Sequence, residues 1–416
     1  MLKKYIFTLH CFLFTCLIAD ENQTLNSNNL LEQLVANHPS IKMSQEIIKG
    51  AKERTDSAYW GFFPTPSVDV SLRDSDRYTT VARLDQPLWT GGKLTSRYDL
   101  ATSKESENLY ELQETSYKLL ENFLTILESY FQAKTNLVEL QEGLENLNKL
   151  DEMLNRRIDA GVSSQSDKDL LNARIEQINS DIALANNRYK VALMQMELLL
   201  DRRLESDIEL SDITILHSKE IKESISRLVE FHPSLKKIDA QIQSAKYELD
   251  SAKAAVMPNL SLRLEHRRGD LYNDTYSSDD NQNLAYVAFS ATTHAGLSAL
   301  SDINAAQIKV SELNFKKETG KREVIDALLN DYNNYEIAKT RIKVLQSSIT
   351  SAQNVLDSYS RLFLAGKRQW LNLVDASREL MQYKIQLANL QISRRILAYR
   401  LALKNGQINL LNGEIS

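Results

Sequence analysis

Glycine, proline and cysteine are all scarce in this 416-residue chain. It contains only 12 glycines and 6 prolines, whereas a compact α/β enzyme needs many glycine-bearing turns, so the composition disfavours that class. Neither residues 93–160 nor residues 298–364 contain a proline, and each stretch holds a single glycine. Such stretches predict long, uninterrupted helices.

A basic excess is also missing, because 50 Lys and Arg face 55 Asp and Glu, and we therefore expect no nucleic-acid partner. The two cysteines, Cys11 and Cys16, lie close to the amino terminus and offer neither a disulfide framework nor a thiolate metal site. The 6 histidines lack metal-ligand spacing. Since no catalytic triad, phosphate-binding loop or paired carboxylates occur either, the sequence predicts neither enzyme activity nor a metal or cofactor.

Long apolar runs are absent beyond the amino terminus. Two lysines precede an apolar segment at residues 5–18, and Ala19 closes a small-residue cleavage site, so residues 1–19 are predicted to be a signal peptide. Lipidation of Cys16 is the alternative, because Leu13 lies a short distance before it. With no later transmembrane helix predicted, we expect an exported protein that crosses any membrane by β-strands.

An internal duplication organises the rest of the chain. Residues 34–40, which contain a His-Pro pair, recur as residues 228–234, and similar landmarks recur further along. The sequence therefore predicts a first repeat over 20–226 and a second over 227–416. The second repeat contains extra residues ahead of its long helix. We expect the polar segment 267–283 to hold them as an exposed loop.

Each repeat is predicted to pair one long helix with two shorter ones. Apolar residues recur every three or four positions along residues 119–158 and 324–363, a spacing typical of helices packed side by side. An ordinary coiled-coil homodimer would give the same spacing. A helix over about 93–160 spans roughly 100 Å, close to the two shorter helices stacked end to end. The second long helix covers about 298–364, and the shorter helices cover about 39–62, 169–200, 233–256 and 371–403.

Between the short and long helices of each repeat, apolar and polar residues alternate, which predicts strand pairs over about 66–88 and 259–291. One interpretation is a soluble hairpin packed against helices. The other is the wall of an outer-membrane barrel, which four strands cannot close without further copies of the chain. In that case Val68, Val70, Leu72, Leu260, Leu262 and Leu264 face lipid, while Asp69, Ser71, Arg73, Arg263 and Glu265 face a wet lumen.

Two further features lie at the ends of the predicted strands. Residues 74–76, an Asp-Ser-Asp run, are interpreted as an extracellular loop rather than as a cation site. Trp89 lies where the strand pair meets the long helix, a position typical of an aromatic belt at a membrane interface.

Several landmarks, in their order, spacing and duplication, cover nearly the whole mature chain. They are His38-Pro39 and His232-Pro233, Pro64 and Pro258, the Gln-Pro-Leu-Trp-Thr-Gly-Gly segment 86–92, the tips 157–161 and 363–366, and the Asn/Asp-Ala elements 169–173 and 372–376. Taken together, the set resembles the TolC-like family of outer-membrane efflux and secretion channels.

The resemblance implies a mainly helical fold with a small β part. That fold is a duplicated, long-helix coiled-coil α-barrel, plus four strands per subunit that contribute to a trimeric, twelve-stranded transmembrane β-barrel. The implied homotrimer lies in outer-membrane lipid with its helical tunnel in the periplasm. Its implied role is a passive channel that receives substrate from a periplasmic adaptor (a membrane fusion protein) and an inner-membrane ABC transporter or other pump.

Residues 365–371 look most similar to family members that serve type I secretion of adhesins. The alternative within the family is the outer-membrane component of a drug or small-molecule efflux pump. Two alternatives lie outside it: a periplasmic coiled-coil adaptor and a soluble, exported coiled coil. Adaptors usually pair one helical hairpin with compact β domains, whereas this sequence predicts two hairpins and few other strands.

By the same resemblance, the second helical tip forms the periplasmic aperture. Arg368 matches the family's gate arginine, and Asp375 matches the inner of two aspartates that ring the pore. Asn372 and Phe363 stand where the family has the other aspartate and a tyrosine. Asp169 matches the usual partner of the gate arginine. The helix-tip turns and the adaptor docking surface are assigned to Gly161, Gly366, Lys367 and Trp370. For Trp370 the alternative is packing between the long helices, which an aromatic residue at helical spacing favours.

Overall fold

The computed structural model describes residues 25–73, 77–204, 208–213, 221–269, 280–291, 298–409 and 414–415. The predicted signal peptide at residues 1–19, the alternative lipidation site at Cys16 and the loop at residues 74–76 lie outside the described residues. So does most of the extra segment 267–283 of the second repeat.

Helices dominate the described part of the chain. The two longest, α3 and α7, have 67 residues each, and each spans about 100 Å. In the described ranges, no helix combines the length and the apolar character needed to cross a membrane. In chain order the helices are α1 (Ser27–Asn37), α2 (Pro39–Trp60), α3 (Lys93–Asp159), α4 (Gln165–Leu200), α5 (Ile221–Phe231), α6 (Pro233–Ala255), α7 (Ser298–Leu364) and α8 (Trp370–Lys404).

The two His-Pro pairs mark helix starts. The Nδ1 of His38 accepts the backbone N–H of Ser40 at 3.2 Å, and Pro39 takes the first position of α2, where no N–H is needed. His232 caps α6 in the same way, with Nδ1 3.3 Å from the N–H of Ser234. These caps separate α2 from α1 and α6 from α5. The sequence did not predict α1 and α5 as separate short helices.

The strands form one main sheet and two small ones. The main sheet is antiparallel, in the order β2-β3-β5-β6, so two hairpins meet along β3 and β5. Its ladder is interrupted between Pro87 and Trp89, where proline has no N–H to donate. The strands are β1 (Leu25–Asn26), β2 (Thr65–Arg73), β3 (Arg77–Trp89), β4 (Ile208–Glu209), β5 (Asn259–Gly269), β6 (Asp280–Ser290), β7 (Ile408–Asn409) and β8 (Glu414–Ile415).

The helices form two end-to-end rows that share α3 and α7. In the row next to the sheet the order is α2, α3, α6, α7. In the other row, which ends at the turns of the helical hairpins α3–α4 and α7–α8, the order is α4, α3, α8, α7. Among the described residues, α2 and α4 pack along their length against α3 alone, and α7 ends both rows. Each row therefore has two open edges, and so does the sheet, at β2 and β6.

The largest core lies at the equator, where the two rows meet. Phe123, Leu127 and Tyr130 of α3 are fully buried there beside Tyr399 of α8. The Tyr399 hydroxyl lies 2.8 Å from the hydroxyl of Ser27 in α1, which fixes the amino-terminal segment to the last helix. A second core fills the hairpin tips.

Candidate functional site

Both helical hairpins turn at a glycine at the end remote from the sheet. Gly161 follows α3 with φ of 72°, and Gly366 follows α7 with φ of 69°, a left-handed conformation that favours glycine. The N–H of Gly161 donates to the Ile158 carbonyl at 2.8 Å, and that of Gly366 donates to the Phe363 carbonyl at 2.9 Å. The carboxyl ends of α3 and α7 therefore lie side by side, one in each hairpin, at the end of the molecule remote from the sheet.

An aromatic pair fills the core of this tip. Phe363 and Trp370 are 3% and 4% exposed, and their ring centroids are 5.1 Å apart. Of the two interpretations of Trp370, this burial agrees with packing against the end of α7 and not with an exposed anchor for an adaptor. The neighbouring Lys367 is exposed.

The expected ion pair between Arg368 and Asp169 does not form within the described chain. Instead, the Arg368 guanidinium carbon lies 4.2 Å from the centroid of the Tyr359 ring, one helical turn before the end of α7. Asp169 is exposed and lies beyond the first turn of α4, which a capping box of Ser164 and Asp167 starts at Gln165. Asp169 belongs to the first hairpin and Arg368 to the second, and the two side chains are not in contact within the described residues.

The remaining aperture residues lie at the start of α8. Asn372 and Asp375 are three positions apart, and therefore on one face of the helix, and both are half-buried. Neither has a hydrogen bond or ion pair of its side chain within the described residues. An amide and a carboxylate are thus presented together at the tip.

Arg157, which the sequence analysis did not single out, joins the two tips. Its Nη1 donates to the Phe363 carbonyl at 3.3 Å, and its guanidinium carbon lies 4.5 Å from the centroid of the Phe363 ring. The position of Arg157 in the last turn of a long helix could have indicated a role at the tip. Its partner, Phe363, could not be found from the sequence because it lies on the other hairpin.

At the opposite end of the molecule, the sheet separates apolar from charged side chains. Val68, Val70, Leu72, Leu262 and Leu264 are exposed on one face. Leu260 lies on the same face and is half-buried. Asp69, Ser71, Arg263 and Glu265 lie on the other face. The side chain of Arg73 lies outside the described part of the structure.

A network of charges crosses the second face of the sheet. Glu265, whose side chain is 1% exposed, accepts from Arg83 at 2.8 Å, from Arg267 at 2.6 Å and from the Tyr286 hydroxyl at 2.8 Å. Arg263 is bound to Asp85 at 2.7 Å. Arg83, Asp85 and Tyr286 were not predicted. Because they belong to β3 and β6, only the register of the folded sheet brings them to β5.

The equator contains a buried cation. Lys404, with its side chain 8% exposed, is ion-paired with Asp331 and donates to the Ala327 carbonyl at 3.3 Å. The pKa of His232 is lowered to about 4, mainly because the imidazole is buried and secondly because the Lys404 ammonium lies nearby. Burial also raises the pKa of Tyr117, whose ring centroid lies 4.8 Å from that of His232. This cluster joins α3, α6, α7 and α8 at one level.

Comparison with known proteins defines the class to which this fold belongs. Residues 30–200 and 224–406 match the family of outer membrane efflux proteins, so the chain belongs to that family. The family and the fold are those of passive outer-membrane channels with a periplasmic helical tunnel, not those of enzymes. This confirms the fold class and the outer-membrane location expected from the sequence.

Individual relatives are distant. The chain is 21% identical over 326 residues to the alkaline protease secretion protein AprF of Pseudomonas aeruginosa, across 74% of this chain and 65% of AprF. It is 26% identical over 121 residues to the outer membrane protein TolC of Escherichia coli, across 29% of this chain and 24% of TolC. Each match thus spans less than two thirds of the relative.

Solved structures show the same fold over nearly the whole chain. The outer membrane protein VceC of Vibrio cholerae superimposes with a TM-score of 0.78 at 15% identity, covering 94% of this chain and 96% of VceC. The outer-membrane channel OprN superimposes with a TM-score of 0.77 at 15% identity, covering 91% of this chain and 90% of OprN.

Proposed function

We propose that the protein is the passive outer-membrane channel of a tripartite export system and works as a homotrimer. The observation that carries this proposal is the pair of open edges in the helical rows and in the sheet. A head-to-tail contact that joins one edge to the other generates a closed ring. Three copies would supply twelve strands, and only a closed barrel satisfies every strand edge in lipid.

The helices at the row edges carry apolar residues suited to such a contact. On α7, which ends both rows, a stripe of exposed apolar residues recurs mostly every seven positions. On α4, at the other edge, a second exposed stripe has the same spacing. Ile308 and Phe315 lie beside α6, in the row whose other edge is α2, so only the later part of the α7 stripe is level with α4. Single exposed apolar residues need no explanation, whereas stripes at both edges of one row favour a partner helix. The α7 stripe is Ile308, Phe315, Leu329, Ile337 and Val344, and the α4 stripe is Leu184, Val191 and Leu198.

The apolar face of the sheet supports insertion in a bilayer at an angle. On β2 the exposed apolar residues centre on Val70, which is level with Asn281 of β6 through the strand register. On β6 they centre on Val287 instead, six positions nearer the helices. A shift of about 20 Å across about 14 Å of sheet inclines the strands by roughly 55° from the normal of the apolar band. Transmembrane barrel strands are tilted by about 35–45° from that normal, so the sheet is inclined in the way a barrel wall requires, by a somewhat larger angle.

Asp375 and Asn372 are proposed to line the periplasmic aperture. Three-fold symmetry would bring three copies of each together at the start of α8, on the face that the chain leaves without partners. A ring of carboxylates favours the passage of cations. Lys367 and the two tip turns at Gly161 and Gly366 are proposed to contact a periplasmic adaptor, since they are exposed at the far end from the sheet.

Within this class we propose type I protein secretion, with an ABC transporter as the inner-membrane pump. The match to a protein named for the secretion of alkaline protease and the segment 365–371 both support it. Efflux of drugs or small molecules is the second candidate, because the family that matches the chain is described as outer membrane efflux proteins. The family match leaves the periplasmic adaptor and the soluble coiled coil without support.

Reconstitution in planar bilayers tests the proposed channel. The purified protein should insert and conduct, with a preference for cations that Asp375→Asn reduces. A protein that extracts from cells without detergent and never conducts would contradict the proposal.

A further inference from the structure

The contacts of Arg157 reach across the two hairpins of one subunit. Its Nε donates to the Ser163 hydroxyl at 3.4 Å, in the turn of its own hairpin, while Nη1 donates to the Phe363 carbonyl at 3.3 Å, in the other hairpin. The guanidinium also lies over the Phe363 ring, 4.5 Å from its centroid. A planar cation with several donors suits this combined contact to a carbonyl and an aromatic face.

Electrostatics favours a cation at this position. Arg157 lies in the last turn of α3, and Phe363 lies in the last turn of α7. Each carboxyl terminus of a helix carries roughly half a negative charge, so two such ends at one tip repel each other. The Phe363 carbonyl already accepts the N–H of Gly366, and its second lone pair is available to Arg157. Arg157 thus offsets the repulsion and bonds both ends.

Two other basic residues of the tip have partners on their own hairpin. Arg368 lies over Tyr359, and Lys168 is ion-paired with Asp151. Among the described residues, the contact of Arg157 with Phe363 is the one that ties a tip cation to the opposite hairpin.

We propose that Arg157 is a positioning residue that holds the two hairpin tips together in the closed channel, so that opening separates its guanidinium from Phe363. This inference rests on the proposed function. A hydrogen bond to a charged group and a cation–π contact are lost together, so removing them should shift the closed-to-open ratio by at least about tenfold.

The test compares Arg157→Gln with Arg156→Gln in planar bilayers. Arg156 occupies the same helical turn, carries the same charge and is exposed, without a hydrogen bond to the second hairpin in the described structure. Arg157→Gln should raise the open fraction at least about tenfold, and Arg156→Gln should leave it near the wild-type value. Arg157→Lys, which keeps the charge but loses the planar fork, and Phe363→Leu, which removes only the ring, should both fall between these values.

Cross-linking reports tip separation without relying on conduction. Val162 and Leu364 are exposed beside the two turns, and the chain has no cysteine after Cys16. In a Val162→Cys, Leu364→Cys background, the yield with a short bismaleimide should fall in Arg157→Gln and not in Arg156→Gln.

Equal open fractions, or equal cross-linking yields, in the two variants of correctly assembled trimer would overturn the inference while leaving the channel intact. If wild-type protein never conducts, the proposed function fails instead, and the cross-linking comparison still decides whether Arg157 couples the tips. Should Arg157→Gln not assemble, Arg157→Lys and Phe363→Leu carry the comparison in both assays.

Discussion

Replacing Val344 with serine should weaken the trimer, because Val344 belongs to the α7 stripe that we assign to the contact between subunits. The residue is 60% exposed in the single chain. It lies in the row next to the hairpin turns, at about the level of Val191 on α4, the opposite edge. A neighbouring subunit that closes the ring would cover both.

The size of the effect follows from the area that the contact would cover. Full burial of a valine side chain is worth about 1.5–3 kcal/mol, so covering the exposed part contributes about 1–2 kcal/mol at each contact. A ring of three subunits has three such contacts, which gives about 3–6 kcal/mol for the trimer. Since about 1.4 kcal/mol is a tenfold change, each contact should weaken by roughly five- to thirtyfold.

The matched control is Val138→Ser on α3. Val138 is 57% exposed, but α3 is flanked by α4 and α8 within its own chain at this level, so no subunit contact is expected there. The fraction of trimer is measured by sedimentation in detergent across a urea series. If both variants lose trimer at the same urea concentration, or if Val344→Ser has no effect, the assignment of the α7 edge is refuted.

Three further perturbations have defined outcomes. Lys404→Met should destabilise the fold by about 3–5 kcal/mol in urea unfolding, because Asp331, whose side chain is only 13% exposed, loses its cation; adding Asp331→Leu should restore most of it. His232 has a pKa of about 4 against 6.5 for an ordinary histidine, so the unfolded chain binds a proton that the folded chain does not. Stability present above pH 6.5 should therefore fall by about 3 kcal/mol towards pH 4, and His232→Asn, which keeps the helix cap, should abolish that fall. Asn372→Asp should increase the cation preference of the channel, measured by reversal potential, and an unchanged potential would remove residue 372 from the aperture.

The long helices were predictable because their evidence is local. The scarcity of glycine and proline over residues 93–160 and the three-to-four spacing of apolar residues both act within one helix, and α3 runs over Lys93–Asp159. The alternation along residues 68–73 likewise separates the two faces of β2 without knowledge of its neighbours. Local patterns of this kind depend on backbone geometry alone.

The contacts that the sequence did not reveal join residues that are distant along the chain. Arg83 meets Glu265 only through the register between β3 and β5. Arg157 meets Phe363 only because two hairpins end at the same level. The predicted Arg368–Asp169 pairing stays a prediction for the assembled protein, because within one chain the two residues lie on different hairpins and Arg368 contacts Tyr359.

The number of chains in the detergent-solubilised particle tests the central claim most directly. Native mass spectrometry or light scattering with correction for bound detergent should find three copies of the chain, extracted only when the membrane is dissolved. A particle of one or two chains that remains in solution without detergent would contradict the account, because its strand edges and helix edges would then have no partner.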